Sequence, residues 1–517
     1  MRITPINVRN NYNFGHKILI DIGASNPKGS CKVRGISEDG REIFKSSGYL
    51  NTTVKGFRMK KDEETGKRDN GQADFITKLD DVIYNAHRRI LAREKNGKIE
   101  FAKDENGSDA LDRQLTGVAV FVPGTTFTNC QNDRIAFIPN LKNTKGESLV
   151  DIDFKKYEEE LRSGEDRAKG LDINQEHFDF IVTKDLGGAG LAIAKILAQK
   201  GELKIGDYIM GVMTGGGFGS VDIKVKGDED TPIVEFETSE SSSYLTGNTL
   251  IYQKINSIFG DVTESESPAY EFNRLKEEIG IENLFPVLEK LGRQGVSVKS
   301  HLKCYLSALN LPVSNQELDE IIELAQKVGD ARLVSNDIMY LPVTDEELYQ
   351  EVKACPYFKE VDSGDKAKYA FSINHDLVDD ESVKKARIHT VNDYANSVSL
   401  ISINKINDCI NKVYLVGPFA QGLNRHIQEN QEEYGVRDLP SLILQKIETN
   451  TDKNHADLPS TRRLMKLYDF KVICDPEINF PDNTFAGDVL LDDDLKFTPN
   501  RGSWFSIPLK KLAQNNK

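Results

Sequence analysis

The sequence predicts an α/β protein made of two similar halves with a cleft between them. A strand, a glycine-rich turn and a second strand follow one another at 16–35 and again at 207–227, which suggests an internal duplication. At 178–199 and at 411–427 a short apolar run ends in a glycine turn and continues with an apolar period of 3.6 residues. Such a run predicts an inner strand, and the period predicts the helix that follows it.

The composition fits a large, acidic protein with more than one core. A chain of 517 residues exceeds one ordinary domain, so two or three domains are expected. The net charge of −14 is spread along the chain, and no basic stretch is long enough to follow a phosphate backbone, so a nucleic acid partner is not expected. No run of ~18 apolar residues predicts a membrane helix, and residues 1–16 lack the apolar core of a signal peptide.

The cysteines indicate neither a disulfide framework nor a structural zinc site. They form no C-x-x-C pair and have no histidine at metal-binding spacing. A reducing cytoplasm is therefore the expected compartment. The six residues are Cys31, Cys130, Cys304, Cys355, Cys409 and Cys474.

Asp185 lies where the strand predicted at 178–184 meets the following helix. Ligands of open α/β sheets bind at the carboxyl ends of strands, so this carboxylate is a candidate general base. The alternative is that Asp185 only caps the helix.

Asp21 ends the first strand of the first hairpin, and the turn after it contains Gly23 and Ser25. Such a turn exposes backbone N–H groups to a phosphate, and an aspartate beside it suits Mg²⁺ through water. This signal is weak alone, because D-x-G turns are common. The second turn, Thr214-Gly215-Gly216-Gly217-Phe-Gly, is more specific, since four glycines in six residues have an entropic cost in any fold. A glycine hairpin without a ligand remains the alternative.

The chain divides into four predicted parts. Residues 1–184 form an N-terminal α/β lobe, and residues 185–261 with 377–490 form a C-terminal α/β lobe. Residues 262–376 have short, charged amphipathic patterns that predict a mostly helical insertion, and residues 491–517 form a C-terminal tail.

The order of these motifs resembles the ROK and glucokinase branch of the sugar kinase, actin and Hsp70 (ASKHA) superfamily. The resemblance covers about residues 17 to 490 and implies two ribonuclease-H-like lobes, each with a mixed five-stranded sheet, closing on ATP and a sugar. The motifs are D-I-G-A-S at Asp21, V-P-G at Val122, I-P-N-L at Ile138, K-D-L-G at Lys184, T-G-G-G-F-G at Thr214 and L-V-G-P-F at Leu415.

The resemblance also implies roles for individual residues. Asp185 would be the general base, and Asp21 would help to hold Mg²⁺ through water. ATP would contact Asp21, Gly23, Ser25, Thr214, Gly215, Gly216, Gly217 and Gly417, and the sugar would contact Pro123, Gly124, Asn140, Lys184, Glu237 and Glu240.

The chain departs from the family pattern at the sugar pocket. Lys184 replaces the asparagine that precedes the catalytic aspartate, and the family's Glu-x-Gly-His clamp is reduced to Glu240-Ser-Ser-Ser, with Glu237 as the alternative register. The family's zinc-binding cysteine cluster is absent from the sequence.

Two hypotheses follow for the function. The first is an ATP- and Mg²⁺-dependent sugar kinase acting on a hexose or hexose derivative, with Asp185 as base. The alternative is a nucleotide-binding protein of the same fold that has lost sugar chemistry and acts through its helical insertion. Lys184 adds the option of an anionic acceptor. The expected partners are a small sugar and, as an option, a second copy of the chain in a homodimer.

Overall fold

The computed structural model describes the regular elements of both halves. The described residues are 15–22, 31–37, 42–46, 76, 79–87, 92–95, 98–101, 114–122, 125–128, 134–142, 148–163, 171, 173–174, 178–214, 218–240, 305–306, 308–309, 311, 313–314, 316–318, 320–321, 324, 340–343, 346–362, 368–407, 409–454, 459–478, 487–491 and 504–514.

The strands follow the chain in two groups. Those of the first 184 residues are β1 (His16–Ile22), β2 (Cys31–Ser37), β3 (Glu42–Ser46), β4 (Ala92–Lys95), β5 (Lys98–Phe101), β6 (Leu115–Val122), β7 (Thr125–Thr128), β8 (Arg134–Lys142), β9 (Ser148–Asp153) and β10 (Asp179–Lys184). The later strands are β11 (Tyr208–Thr214), β12 (Phe218–Lys226), β13 (Ile233–Glu240), β14 (Tyr340–Val343), β15 (Phe358–Val361), β16 (Tyr369–Ile373), β17 (Lys412–Val416), β18 (Lys471–Ile473) and β19 (Trp504–Pro508).

The helices of the described residues lie mainly in the second half of the chain. Helical residues occur at 79–87, and short 3₁₀ helices at His375–Leu377 and Gly487–Leu491. The α-helices are α1 (Phe154–Arg162), α2 (Asp185–Gln199), α3 (Glu346–Ala354), α4 (Asp380–Asn407), α5 (Pro418–Glu429), α6 (Gln431–Tyr434), α7 (Leu439–Asn454), α8 (Pro459–Leu467) and α9 (Leu509–Ala513).

The first sheet has the strand order β10-β6-β1-β2-β3. β1 pairs antiparallel with β2, which pairs antiparallel with β3, whereas β6 and β10 run parallel to β1. All eight residues of β6 are buried, which is typical of a strand covered on both faces. Because β1, β6 and β10 are parallel, their carboxyl ends meet at one edge, and Asp21 and Asp185 lie at that edge.

The second sheet repeats this arrangement. Its order is β18-β17-β11-β12-β13-β19, in which β11, β12 and β13 pair antiparallel and β17 and β18 run parallel to β11. The ribonuclease-H-like order has an antiparallel three-stranded meander that includes the central strand, and two strands parallel to the central strand on its other side. The predicted fold class is therefore confirmed. The second sheet also has a sixth strand, β19, which pairs antiparallel with β13 and was not predicted.

Helix α2 lies in one apolar core between the two sheets. This core combines Leu19 and Phe121 from the first sheet, Leu191 from α2, and Val221 and Phe236 from the second sheet, all 0–1% exposed. Two further cores cover the outer faces: one packs β1, β6 and β10 against the helical residues at 79–87 and α1, and the other packs β11 and β17 against α4, α5 and α7. Both faces are therefore covered at β1, β6 and β10 of the first sheet and at β11 and β17 of the second.

The predicted insertion contributes to the outer core of the second sheet. Tyr305, Leu306 and Leu309 belong to that core, and the Tyr305 hydroxyl lies 2.8 Å from Nε2 of His375. The described residues of this region include a three-stranded sheet, β14-β16-β15, as well as helix α3. The boundaries proposed for the four parts of the chain stay predictions.

The segment Gly487–Leu491 connects the C-terminal part of the chain to the first sheet. Its Asp488 Oδ1 lies 3.1 Å from Nζ of Lys195 on α2, and Lys17 on β1 donates to the carbonyl oxygen of Leu491 at 3.0 Å. The Lys195 side chain is 3% exposed, so this ion pair lies in a region of low dielectric constant.

The described helices give no indication of a membrane span. None of them is both long enough and apolar enough to cross a bilayer.

The ion pair between Lys195 and Asp488 gives a stability prediction. Asp488→Asn removes the carboxylate beside a buried ammonium, and we expect it to lower the free energy of unfolding by about 3 kcal/mol, measured by urea unfolding followed by circular dichroism. Glu477→Gln is the control, because its partner Lys200 is one-third exposed and solvent screens the pair. Equal effects of the two substitutions would contradict the structural role of Asp488.

Candidate functional site

Asp185 is the first residue of α2 and lies directly after β10. Its Oδ1 accepts a hydrogen bond of 2.8 Å from the backbone N–H of Leu186, and its side chain is half-buried. The cap position belongs to Lys184, whose φ of −69° and ψ of 145° are extended and whose side chain makes no capping bond. Asp185 therefore lies one position inside the helix, where its carboxylate also interacts favourably with the positive end of the helix dipole.

Lys184 is almost completely buried, with 1% exposure. Side chains alternate along a strand, and Phe180 and Val182 belong to the outer core of the first sheet, whereas Ile181 packs against the core between the sheets. By this alternation Lys184 belongs to the outer face. Lys184 is thus buried on the outer face of the first sheet, whereas its neighbour Asp185 is only half-buried at the start of α2.

Asp21 forms an ion pair with a lysine that belongs to none of the sequence motifs. Lys32 on β2 stands directly opposite Asp21 in the strand register, and its Nζ lies 3.7 Å from Oδ2 of Asp21. Asp21 alternates with Leu19, so its side chain lies on the face that looks toward the second sheet. The Lys32 side chain is 32% exposed. The strand register that places Lys32 opposite Asp21 is not specified by the sequence pattern, so Lys32 could not be selected from the sequence.

The start of β12, which follows the second glycine turn in the chain, lies beside the start of α2. Thr214 pairs with Phe218 and closes the turn, and Gly219 follows on β12. A Cβ atom on Gly219 would lie 2.4 Å from Cδ1 of Leu186, which shows how closely the backbone of β12 approaches α2 at this point. Leu186 is adjacent to Asp185 in the chain. The structure therefore brings the candidate base and the edge of the second hairpin together.

The two candidate acids on β13 occupy different positions. Glu240 is the last residue of the strand and pairs with Gly219, so its backbone lies at the edge of the second hairpin. Glu237 pairs with Asp222 three residues further along, and its Oε2 lies 3.9 Å from Nζ of Lys224. Of the two glutamates, Glu240 therefore has its backbone nearer to the glycine-turn end of β12.

The third turn contains a glycine with a positive φ. Gly417 has φ of 103° and lies immediately before α5, whose first residue is Pro418. A positive φ disfavours residues with a Cβ atom, so glycine is required here. The N-terminus of α5 offers a partial positive charge to a ligand at this edge of the sheet.

The remaining candidate residues divide into two groups. Asn140 lies within β8. The others lie outside the described residues: Gly23, Ser25, Pro123, Gly124, Gly215, Gly216 and Gly217.

Two side chains of the second sheet and the segment after it have raised pKa values. Burial raises the pKa of the Cys474 thiol to about 12, and the charges of Asp438 and Asp475 add to the shift. Burial likewise raises the pKa of Tyr414 to about 12, with contributions from nearby carboxylates. Cys474 is therefore protonated at neutral pH, and a thiolate nucleophile is not available at this position.

The residues present fit a magnesium ion held mainly by its nucleotide. In the described part of the chain, no group of three His, Cys, Asp or Glu side chains could hold a metal by itself. Mg²⁺ keeps several waters and commonly binds through one or two carboxylates together with substrate phosphates. Asp21 supplies a hard oxygen donor at a strand end, which suits that mode of binding.

The comparisons with known proteins give matches in structure only. No protein-family profile and no curated protein matches the sequence. A ROK family glucokinase from Streptomyces griseus in complex with glucose and AMPPNP is 10% identical, with a TM-score of 0.35, and the match covers 92% of this chain and 97% of that one. A glucokinase from an Antarctic psychrotroph is 10% identical with a TM-score of 0.34, and the match covers 92% of this chain and 99% of that one. A glucokinase from Parabacteroides distasonis is 9% identical with a TM-score of 0.32, and the match covers 94% of this chain and 100% of that one.

The strand order and directions, rather than these low similarities, define the class of the protein. Two ribonuclease-H-like sheets joined in one chain, with a helix packed between them, form the two-lobed fold of the ASKHA superfamily.

The different burial of Lys32 and Lys184 can be tested by chemical labelling. An amine-reactive reagent followed by mass spectrometry should modify Lys32 in the folded protein, because its side chain is 32% exposed. Lys184, at 1% exposure, should be modified only after unfolding. Labelling of Lys184 in the native protein at the rate of Lys32 would contradict this assignment.

Proposed function

We propose that the chain is an ATP- and Mg²⁺-dependent kinase that transfers the γ-phosphate to a hydroxyl of a hexose or hexose derivative. The observation that supports this most is the contact between Leu186 and Gly219, because it joins the candidate base Asp185 to the edge of the second glycine hairpin. A carboxylate beside a phosphate-binding turn is what a hydroxyl nucleophile requires.

Asp185 would accept the proton of the attacking hydroxyl. Phosphoryl transfer depends mainly on in-line positioning and on stabilisation of charge, so one carboxylate within hydrogen-bonding distance of the nucleophile is sufficient. Asp185 is half-buried, whereas its neighbour Lys184 is almost completely buried. Its place at the start of α2 puts the carboxylate beside the positive end of the helix dipole.

Asp21 and Lys32 would bind the phosphates and their metal ion on the side opposite Asp185. β1 and β10 are separated by β6, so Asp21 and Asp185 end strands that lie about 10 Å apart. That spacing leaves room for the phosphoryl group between Asp21, which would bind the metal ion, and Asp185, which would face the acceptor. Mg²⁺, when bound, would neutralise charge on the phosphate oxygens, and Lys32 would exchange its ion pair with Asp21 for a phosphate oxygen.

The acceptor would be a neutral sugar rather than an acidic one. The 1% exposure of Lys184 supports this, since its ammonium belongs to the interior of the first lobe. The backbone position of Glu240 beside Gly219 supports Glu240, rather than Glu237, as the acid that binds a sugar hydroxyl.

The test of this function is turnover with and without the Asp185 carboxylate. A coupled assay of ADP release across hexoses and amino sugars should find an acceptor, and Asp185→Asn should lower kcat by about 10²- to 10⁴-fold, the usual contribution of a general base. Asp179→Asn is the matched control, because Asp179 begins the same strand at the opposite edge. Turnover with no sugar, despite binding of ATP, would refute the proposal.

The role of Asp21 predicts a metal-specific defect. Asp21→Asn should weaken the binding of Mg·ATP about 10-fold or more, since it removes the carboxylate that would hold Mg²⁺ through water, while metal-free ATP binds as well as before or better. Calorimetric titration with and without Mg²⁺ measures both. Lys17→Met is the control, because Lys17 lies on the same face of β1 but bonds to Leu491 away from the turn. Equal losses in both titrations would exclude a metal-specific role.

A further inference from the structure

Helix α2 and the second sheet meet along a row of three glycine contacts. A Cβ atom on Gly219 would lie 2.4 Å from Cδ1 of Leu186, one on Gly211 would lie 2.7 Å from Cδ1 of Ile193, and one on Gly190 would lie 2.6 Å from Cγ2 of Val221. On the helix these contacts involve positions 186, 190 and 193, which form one face. The row, which we call the glycine seam, allows the helix to approach the sheet more closely than side chains would permit.

The end of the glycine seam coincides with the candidate site. Leu186 follows Asp185, and Gly219 follows Phe218, which closes the turn at 215–217 with Thr214. The Gly211 contact lies about two helical turns further from Asp185, and Gly211 pairs with Val221 in the middle of the sheet. One contact of the seam therefore lies at the reacting end of α2, and a comparable one lies at a distance from it.

We propose that Gly219 is a positioning residue, which sets the separation between the Asp185 carboxylate and the second phosphate hairpin through its contact with Leu186. The inference rests on the proposed role of Asp185 as base. Because position 219 has no side chain, Leu186 packs directly against the backbone of β12. This packing fixes the distance between the first turn of α2 and the hairpin.

The distance between Gly219 and Leu186 indicates how much a larger side chain at position 219 would lower the rate. Ordinary van der Waals contact begins at 3.4 Å, so a methyl group at position 219 requires a displacement of about 1 Å from 2.4 Å. Leu186 is 4% exposed, and its side chain is enclosed, so much of that displacement passes to the helix start. A misplacement of about 1 Å in a catalytic constellation can reduce the rate about 100-fold.

The experiment compares two glycine substitutions of similar steric cost. Gly219→Ala should lower kcat by about 10- to 100-fold with the best acceptor of the sugar panel, while KM for ATP changes less than about threefold. Gly211→Ala meets Ile193 at 2.7 Å and should lower the thermal midpoint to a similar extent, yet keep kcat within about threefold. Leu186→Ala in the Gly219→Ala background should restore most of the lost kcat, because it removes the colliding atoms.

A second measurement does not depend on turnover. Crystal structures of the unaltered protein and of Gly219→Ala should differ by about 0.5 Å or more in the distance from Asp185 to Thr214, whereas Gly211→Ala should leave that distance unchanged.

The outcomes separate this inference from the function on which it rests. If Asp185→Asn lowers kcat but Gly219→Ala does not, the positioning role is wrong and the kinase assignment stands. If Asp185→Asn has no effect, or no sugar turns over, the base assignment is wrong and the catalytic meaning of the contact falls with it. An unchanged Asp185 to Thr214 distance in Gly219→Ala overturns the structural part of the inference in either case.

Discussion

The packing of α2 between two sheets is the constraint on which the rest of the structure depends. The helix begins at the carboxyl edge of the first sheet, yet it packs most closely on the second, where three glycines replace side chains. Because interiors are close-packed, the two sheets cannot change their relation to this helix without opening the core that they share. The candidate base is thereby coupled to both lobes: covalently to β10 and by packing to β12.

The duplication could be predicted from the sequence because its signals are local. The runs at His16–Ile22 and Tyr208–Thr214 are apolar and end in glycine turns, and both become the central strand of a sheet. The sixth strand, β19, could not be predicted, since its pairing with β13 joins residues more than 250 positions apart and leaves no periodic signal. The small sheet of β14, β15 and β16 was missed for a related reason, because its strands have only four or five residues.

The candidate site was predicted only where a residue type and a turn occur together. Asp21 and Asp185 stand at strand ends beside glycines, so both could be selected from the sequence. Lys32 became visible through strand register, and the burial of Lys184 through the alternation of β10, neither of which a one-dimensional pattern specifies. The contact between Leu186 and Gly219 depends on the distance between a helix and a sheet, which is a property of packing rather than of spacing.

The anchoring of Gly487–Leu491 on the first sheet has a consequence for how the protein folds. Lys17 and Leu491 are 474 positions apart, and β19 and α9 complete the second sheet and the core beside α2 from residues 504–513. During synthesis, the early strands can pair with one another, but the interface between the lobes stays incomplete until the last of these residues has left the ribosome. Contacts of such large sequence separation slow folding, because the entropy of closing the loop is lost before the contact forms. The strands of the first sheet can thus pair before this last partner segment has been synthesised, and during that interval the apolar inner face of the sheet is exposed to aggregation.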